Sequence, residues 1–308
     1  MPNLITHIWF AGEILKNLPE DIAAVCLKHK DAFVLGNLGP DFMYALREMG
    51  FSTRSYPNEL HHNRQYKTFE AIAEYLRNND NPEAYAYALG MSCHYAADKN
   101  IHPFVNAFCE GKVTKALEVE AMPSAHGLIE SAIDTYIVTE RMGISNPNKY
   151  KPDKAMKSKR KTRRQIGKMF VSAVDKLHGY TLTEGKASLS FEVTRWFLKL
   201  ANDPHGIRRP IFRAVEKAVM GGAMKVTALM RPPVHYGEID YLNFDRTPYR
   251  AIRNKEGNLT LNAIEVLEVA KREALEYYVP ALYNAVEKGT NLDPNMYAVN
   301  YEGVEAGN

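Results

Sequence analysis

Cysteine is scarce: Cys26, Cys93 and Cys109 are the only three, and no two sit at C-x-x-C spacing. So odd and scattered a set excludes a disulfide framework and a thiolate zinc site, and fits a reducing compartment. Long apolar runs are missing as well, none approaching the roughly 18 uninterrupted residues of a membrane-spanning helix. The opening stretch MPNLITHIWFAGEILKNLPE has no basic region ahead of an apolar one and no small-residue cleavage site. It does not read as a secretory signal, and a cytoplasmic location is expected. Charge of one sign is not in surplus, because 39 Lys and Arg against 36 Asp and Glu leave only +3. That balance alone argues for neither a nucleic-acid nor a membrane-surface partner. Low-complexity tracts and internal repeats are absent, and the alternation typical of strands is rare.

What remains is a chain of 308 residues, 45% hydrophobic and 24% charged with a mean hydropathy of −0.36, able to bury a sizeable core. Its apolar residues recur at three- and four-residue steps, which predicts an all-α, multi-helix bundle counted most simply as one domain over 1–308. Ile5, Ile8, Trp9, Gly12 and Leu15 are expected to form the inner face of a first helix ending near Pro19. A second helix is expected over 21–30. GNLGPD, Gly36 to Asp41, breaks the pattern with a turn that sets Asp41 at the next helix start, where it could serve as a cap. Further helices are expected over 62–78, 82–109, 124–142, 162–178, 188–201, 208–229 and 260–288. The segment 230–258 is rich in proline and aromatics and reads as a long ordered loop with a short hairpin closing at EGN. Residues 290–308 form a C-terminal tail.

Histidine is unevenly placed. His7, His29, His61, His62, His94, His102 and His126 fall in the first 126 of the 308 positions, and several of them share helix faces with carboxylates. In HYAADKNIHP, His94, Asp98 and His102 stand four residues apart, one above the next on a helix. Their neighbours are apolar or small, which turns this stripe inward, where a carboxylate between imidazoles calls for a cation. Pro103 biases His102 away from helical dihedrals and toward a neighbouring metal position. In HGLIESAID, His126 and Glu130 repeat the four-residue step and Asp134 extends it. Imidazole with carboxylate suits Zn²⁺. One such pair is more often an exposed polar pair or a satisfied core histidine; a triplet followed by a pair favours a metal cluster.

The ordered set THIW, GPD, HH, HYAADKNIHP and HGLIE resembles the bacterial zinc-dependent phospholipase C family, related more distantly to single-strand-specific nucleases. The match covers roughly the first 135 residues. The resemblance implies a helical domain holding two or three Zn²⁺ ions that hydrolyses a phosphodiester, with a phospholipid as one candidate and nucleic acid only as an alternative substrate. It implies that Asp41, with His61 or His62, His94 and Asp98, holds a first zinc, and that Asp41 orients or deprotonates the attacking water. It gives Asp98 a bridging role, assigns His102, His126 and Glu130 to a second zinc, and assigns His7 to a third. The family's N-terminal tryptophan ligand has no counterpart ahead of His7, and the step from Asp98 to His102 is two residues shorter than in the secreted members.

Three readings follow: a phosphodiesterase of phospholipase C type, a nuclease or nucleotidase on the same frame, and a nonenzymatic metal-binding protein. The run KSKRKTRR, Lys157 to Arg164, reads first as a solvated helix face and second as an attractor of phosphate groups. Tyr56, Tyr66, Phe104 and Tyr241 are candidates for a headgroup wall, though aromatics at helical spacing more often fill a core. His178, His205 and His235 lack carboxylate partners in register and read as structural.

Overall fold

The computed structural model describes residues 4–45, 56–109, 122–175, 177–219, 221, 226–231, 239–250 and 259–307. It is 72% helical, and no strand forms among the described residues, so the all-α expectation holds. The helices are α1 Leu4–Asn17, α2 Glu20–Lys28, α3 Lys30–Gly36, α4 Tyr56–His62, α5 Gln65–Asn78, α6 Pro82–Phe108 and α7 Met122–Tyr136. They continue with α8 Pro152–Ala155, α9 Arg160–Met169, α10 Glu184–Ala201, α11 Arg208–Val219, α12 Ala263–Glu273 and α13 Val279–Glu287. Wider π-type turns extend α7 through Ile137–Arg141 and α9 through Phe170–Val174, and one joins α12 to α13. None of the described helices is long and apolar enough to cross a membrane.

Boundaries differ from expectation where a single residue breaks the ladder. α2 stops at Lys28 because His29 adopts φ −127°. A left-handed Arg64, at φ 59°, separates α4 from α5. α11 ends at Val219 rather than near 229, and a short 3₁₀ turn, Thr227–Leu229, follows. Pro103, by contrast, does not end α6, which runs through it to Phe108, so His102 stays helical. Ile101, Phe104 and Val105, which surround that position, are buried, and their packing outweighs one lost backbone bond. In the aromatic segment Tyr249 and Leu259 exchange both backbone hydrogen bonds, at 2.8 and 2.7 Å, as a hairpin would. The EGN tip itself lies outside the described residues.

The residues gather into two compact units: 1–6, 101–153 and 196–268 in the first, and 7–100, 154–195 and 269–308 in the second. In the second unit α6 is the central element, buried without interruption from Ala84 to Lys99. A helix buried on every side needs small residues where its neighbours approach. At Gly36 on α3 a Cβ would lie 2.0 Å from the Tyr87 carbonyl oxygen, and at Gly90 on α6 it would lie 2.2 Å from that of Phe33. Phe42 stacks on Phe191 at 3.8 Å and meets Tyr87 and Phe170 edge-on. Phe69, Tyr95, Tyr278 and Tyr297 form a second aromatic layer. Lys99, buried in this wall, pairs with Glu273 at 2.6 Å.

In the first unit, Phe104 and Phe108 of α6 stack at 4.7 Å and both pack on Tyr249. Arg231 is buried and donates to the carbonyls of Pro147 and Tyr150 and to Asn202 Oδ1. Asp134 Oδ1 accepts from both the amide and the hydroxyl of Thr6, each at 2.8 Å. Asp134 therefore anchors the start of α1.

Candidate metal centre

Polar residues with the ligand chemistry of a metal site are buried in each unit, and each group closes within its own unit. In the second unit α1 contributes His7, the 3₁₀ turn Gly39–Met43 contributes Asp41, α4 contributes His61, and α6 contributes His94 and Asp98. The inner face of α1 bears His7, Phe10, Ala11 and Ile14; of the Ile5, Ile8, Trp9, Gly12 and Leu15 face expected from hydropathy only Ile5 is buried, Gly12 is exposed, and Ile8, Trp9 and Leu15 are half-buried. His7 pairs with Asp98, which sets that rotation.

Asp98 is fully buried, with Oδ1 3.0 Å from His7 Nε2 and Oδ2 3.1 Å from His94 Nε2. One carboxylate oxygen thus faces each imidazole. Asp41 Oδ1 lies 2.7 Å from His61 Nε2. Two overlapping sets, His7 with His94 and Asp98, and Asp41 with His61 and His94, bring their ligand atoms within 4.8 Å of one another. Tetrahedral zinc with bonds of about 2.0–2.1 Å separates its ligand atoms by about 3.4 Å, so these spacings suit the ion.

The donor set also fits by what it leaves unsatisfied. Neither ring nitrogen of His94 nor Oδ2 of Asp41 is hydrogen-bonded to a described residue, although both side chains are buried. Such groups are costly without a partner, and a cation is the partner that their chemistry suits. Burial pushes the His94 pKa down to about 4 against the pull of Asp98, so its imidazole is neutral at physiological pH, as a ligand must be. Burial alone would raise Asp41, but the hydrogen bond to His61 and the fields of His94 and His61 hold it below the ordinary carboxylate range. His61 is lifted above the usual histidine value, burial being outweighed by Asp41.

Adjacent His61 and His62 are separated by their helix face. His61 is buried, and its Nδ1 donates to the Pro57 carbonyl at 2.6 Å, which fixes the ring with Nε2 toward Asp41. His62 is exposed, its ring bonds to the Asn58 carbonyl one turn back, and it joins none of the groups among the described residues. Asp41 is likewise no helix cap, since its carboxylate is turned to His61.

The backbone closes tightly on this set. Gly39 has φ +50°, and a Cβ there would stand 1.9 Å from His94 Cδ2. Tyr87 donates to the Gly39 carbonyl at 2.6 Å. Two aromatic neighbours escape a reading of motifs. Tyr301, in the C-terminal tail, packs 5.0 Å from the His61 ring and 5.3 Å from that of His94, and its amide donates to the His61 carbonyl. Tyr44 lies 5.2 Å from His61, ring to ring. The tail is pinned at a further point, where Arg64 and Gly307 join through a backbone hydrogen bond of 2.8 Å.

In the first unit His102, His126 and Glu130 form the third group. Glu130 Oε1 is 2.7 Å from His126 Nε2 and 3.8 Å from His102 Nε2. His102 and Glu130 are buried, whereas the His126 side chain is 29% exposed, which gives this group an open side to solvent.

The other sequence candidates take structural places. Tyr56 donates to Asp175 at 2.5 Å, Phe104 and Tyr241 are buried, and Tyr66 bonds Glu70. His178 is buried against Thr68 at 2.8 Å, His205 is exposed, and His235 lies outside the described residues. In the basic run Arg163 is buried and paired with Glu192 at 2.8 Å, while Lys157, Lys159, Arg160, Lys161 and Arg164 are exposed.

A family model described as zinc dependent phospholipase C matches residues 6–187, a span that takes in every candidate ligand from His7 to Glu130. Comparison with curated proteins and with solved structures returned no match.

Proposed function

Given that the chain belongs to the zinc-dependent phospholipase C family, we propose that it hydrolyses a phosphodiester bond of a phospholipid, with Zn²⁺ held by these histidines and carboxylates. The observation carrying this reading is that buried atoms with ligand chemistry and no hydrogen bond to a described residue, Oδ2 of Asp41 and the ring nitrogens of His94, belong to the matched span.

The assignment is His7 with Asp98, Asp41 with His61, His94 and Asp98, and His102 with His126 and Glu130. His62 is left out, being exposed and bonded locally. Asp98 serves two positions because each of its oxygens faces a different imidazole. Zinc at such sites supplies charge neutralisation for phosphate oxygens and activation of water near neutral pH.

The chain's own groups do the rest. Asp41 is held as a carboxylate by His61 and keeps Oδ2 for orienting a water or taking its proton. His61 is fixed in rotation by the Pro57 carbonyl, and Tyr301 packs beside its ring. The partly exposed His126 is the ligand nearest to solvent in the third group and marks the side from which a phosphate reaches it.

The test joins zinc content, measured by plasma emission on protein purified without chelator, to assays on two substrates. Two or three ions per chain with phosphorylcholine released from a chromogenic ester is the expected result. Cleavage of single-stranded DNA in its place would transfer the frame to a nuclease. Full zinc with no turnover on any phosphodiester would overturn the enzymatic reading.

A further inference from the structure

Helix α11, RRPIFRAVEKAV, packs against its unit the wrong way round. Its only buried residue is Glu216, whose carboxylate accepts from the amides of Val226 and Thr227 and from the Thr227 hydroxyl. The apolar residues point outward: Ile207, just ahead of the helix, Ile211, Val215 and Val219 are 63%, 59%, 51% and 73% exposed. Four-residue steps drift by only about 40° each around a helix, so these side chains form one continuous stripe. Ala214 and Ala218, also exposed, fall on the same arc and widen it. A surface helix ordinarily does the opposite, and a contiguous apolar stripe in water marks a surface that something covers.

The charges around the stripe say what kind of surface. Arg208, Arg209, Arg213 and Lys217 are the helix's other charged residues, and the one acidic residue is sequestered inside. Arg208 is tied back to the carbonyls of Lys199, Leu200 and Asn202 at the end of α10, which holds α11 firmly to its unit. Trp196, on that last part of α10, is 58% exposed in the same unit. A second copy of this helix would set cation against cation, whereas an anionic lipid surface takes the apolar stripe and the cations together. Exposed tryptophan is at home at the same depth.

We infer that α11 is a membrane-docking helix, which lies in the headgroup region of an anionic phospholipid bilayer with Ile207, Ile211, Val215 and Val219 inserted. This deepens the phospholipase reading, on which it rests for the choice of a bilayer as the occupant, by naming the surface that brings the enzyme to its substrate. No spanning segment is needed for it.

The experiment is co-sedimentation of the full-length, zinc-loaded protein with vesicles of phosphatidylcholine, with and without phosphatidylglycerol. Wild type is compared with an Ile211→Ser, Val215→Ser double variant and with Ile211→Leu, Val215→Leu. The wild type and the leucine variant are expected to pellet with anionic vesicles, less so as salt rises, and the serine variant to partition at least about tenfold less. Lys217→Ser should lower partition about fivefold on anionic vesicles alone. Zinc content and turnover of a soluble chromogenic phosphodiester should be equal in all four proteins. Equal sedimentation of wild type and serine variant would overturn the inference. So would a wild type that stays in the supernatant as a dimer that the serine variant dissociates, since the stripe would then cover a second copy. Turnover of the soluble ester is read separately: its absence in the wild type would sink the phosphodiesterase reading, while sedimentation still decides what α11 does.

Discussion

Replacing Asp98 by asparagine keeps the shape of the side chain and removes its charge. Asp98 is fully buried, and each of its oxygens stands about one ligand spacing from an imidazole, 3.0 Å from His7 and 3.1 Å from His94. An amide offers one oxygen and one N–H₂ group, so no rotamer presents two anionic donors, and both assigned positions lose a ligand. The metal-free protein loses little, because a buried carboxylate that lacks its cation is itself a cost. The change should therefore show in the response to zinc. If wild type is held at zinc a thousandfold above its dissociation constant, binding at one site adds about 4 kcal/mol. With an unfolding entropy near 2.1 cal/mol/K per residue, a chain of 308 residues converts that to about 6 °C in Tm. The assay is thermal unfolding with zinc and with chelator, beside zinc content per chain. Wild type should show the shift, and Asp98→Asn should lose most of it together with at least one ion. An asparagine variant with the wild-type zinc content and the wild-type shift would refute the assignment of Asp98 as a ligand.

The two adjacent histidines give a sharper contrast: His61→Ala should cost at least about a hundredfold in turnover and one zinc, and His62→Ala should leave both within twofold, as read by kinetics and emission spectrometry. Gly39→Ala places a methyl 1.9 Å from His94 Cδ2 at a left-handed backbone position, and should weaken zinc retention against a chelator at least about tenfold. Gly12→Ala, on the exposed side of α1 with no atom within 4 Å, should instead raise stability by about 1 kcal/mol, and equal behaviour of the two variants would refute the close approach. Burial raises the Asp134 pKa to about 6, with Arg231 and Thr6 opposing it. The folded chain therefore binds its proton more tightly than the unfolded one, and this contribution is complete below about pH 4 and lost as pH rises through 6, about 3 kcal/mol in all. In chelator-treated protein, Asp134→Asn, which keeps the acceptor oxygen for Thr6, should remove that fall from the profile of Tm against pH; parallel profiles would contradict it.

How much of this was legible in the sequence depends on the distance over which each signal acts. The steps from His94 to Asp98 and from His126 to Glu130 are local, and a helix places such residues together whatever surrounds it, so both pairs are found as read. His61 and His62 could not be told apart by spacing. Neighbours on a helix point about 100° apart, and which of them faces inward is decided by what α4 packs against. The helix expected over 82–109 is found almost to the residue, but the swing of His102 out of it expected from Pro103 does not occur, because one missing amide is a small loss beside a wall of buried side chains. Tyr301 carried no signal at all, since its contact with His61 and His94 is made by a tail far along the chain from either.

The two departures from hydropathy have one cause. On α1 the expected apolar face, Ile5 apart, is not the inner one, because His7 goes inside to meet Asp98. On α11 the inner place is taken by Glu216, and the apolar stripe is left in water. The rule that apolar residues face inward compares each side chain's transfer from water with nothing else. It reverses where a polar group finds stronger partners inside than water offers, or where the apolar face is meant for a medium other than water. His7 is the first case. Glu216, with two backbone amides and a hydroxyl, is also the first, and by claiming the inner side of α11 it produces the second. A local rule broken without compensation would simply cost stability; here each break coincides with a place where a ligand is proposed, zinc at one and a lipid surface at the other, as expected when fold and function compete for the same residues.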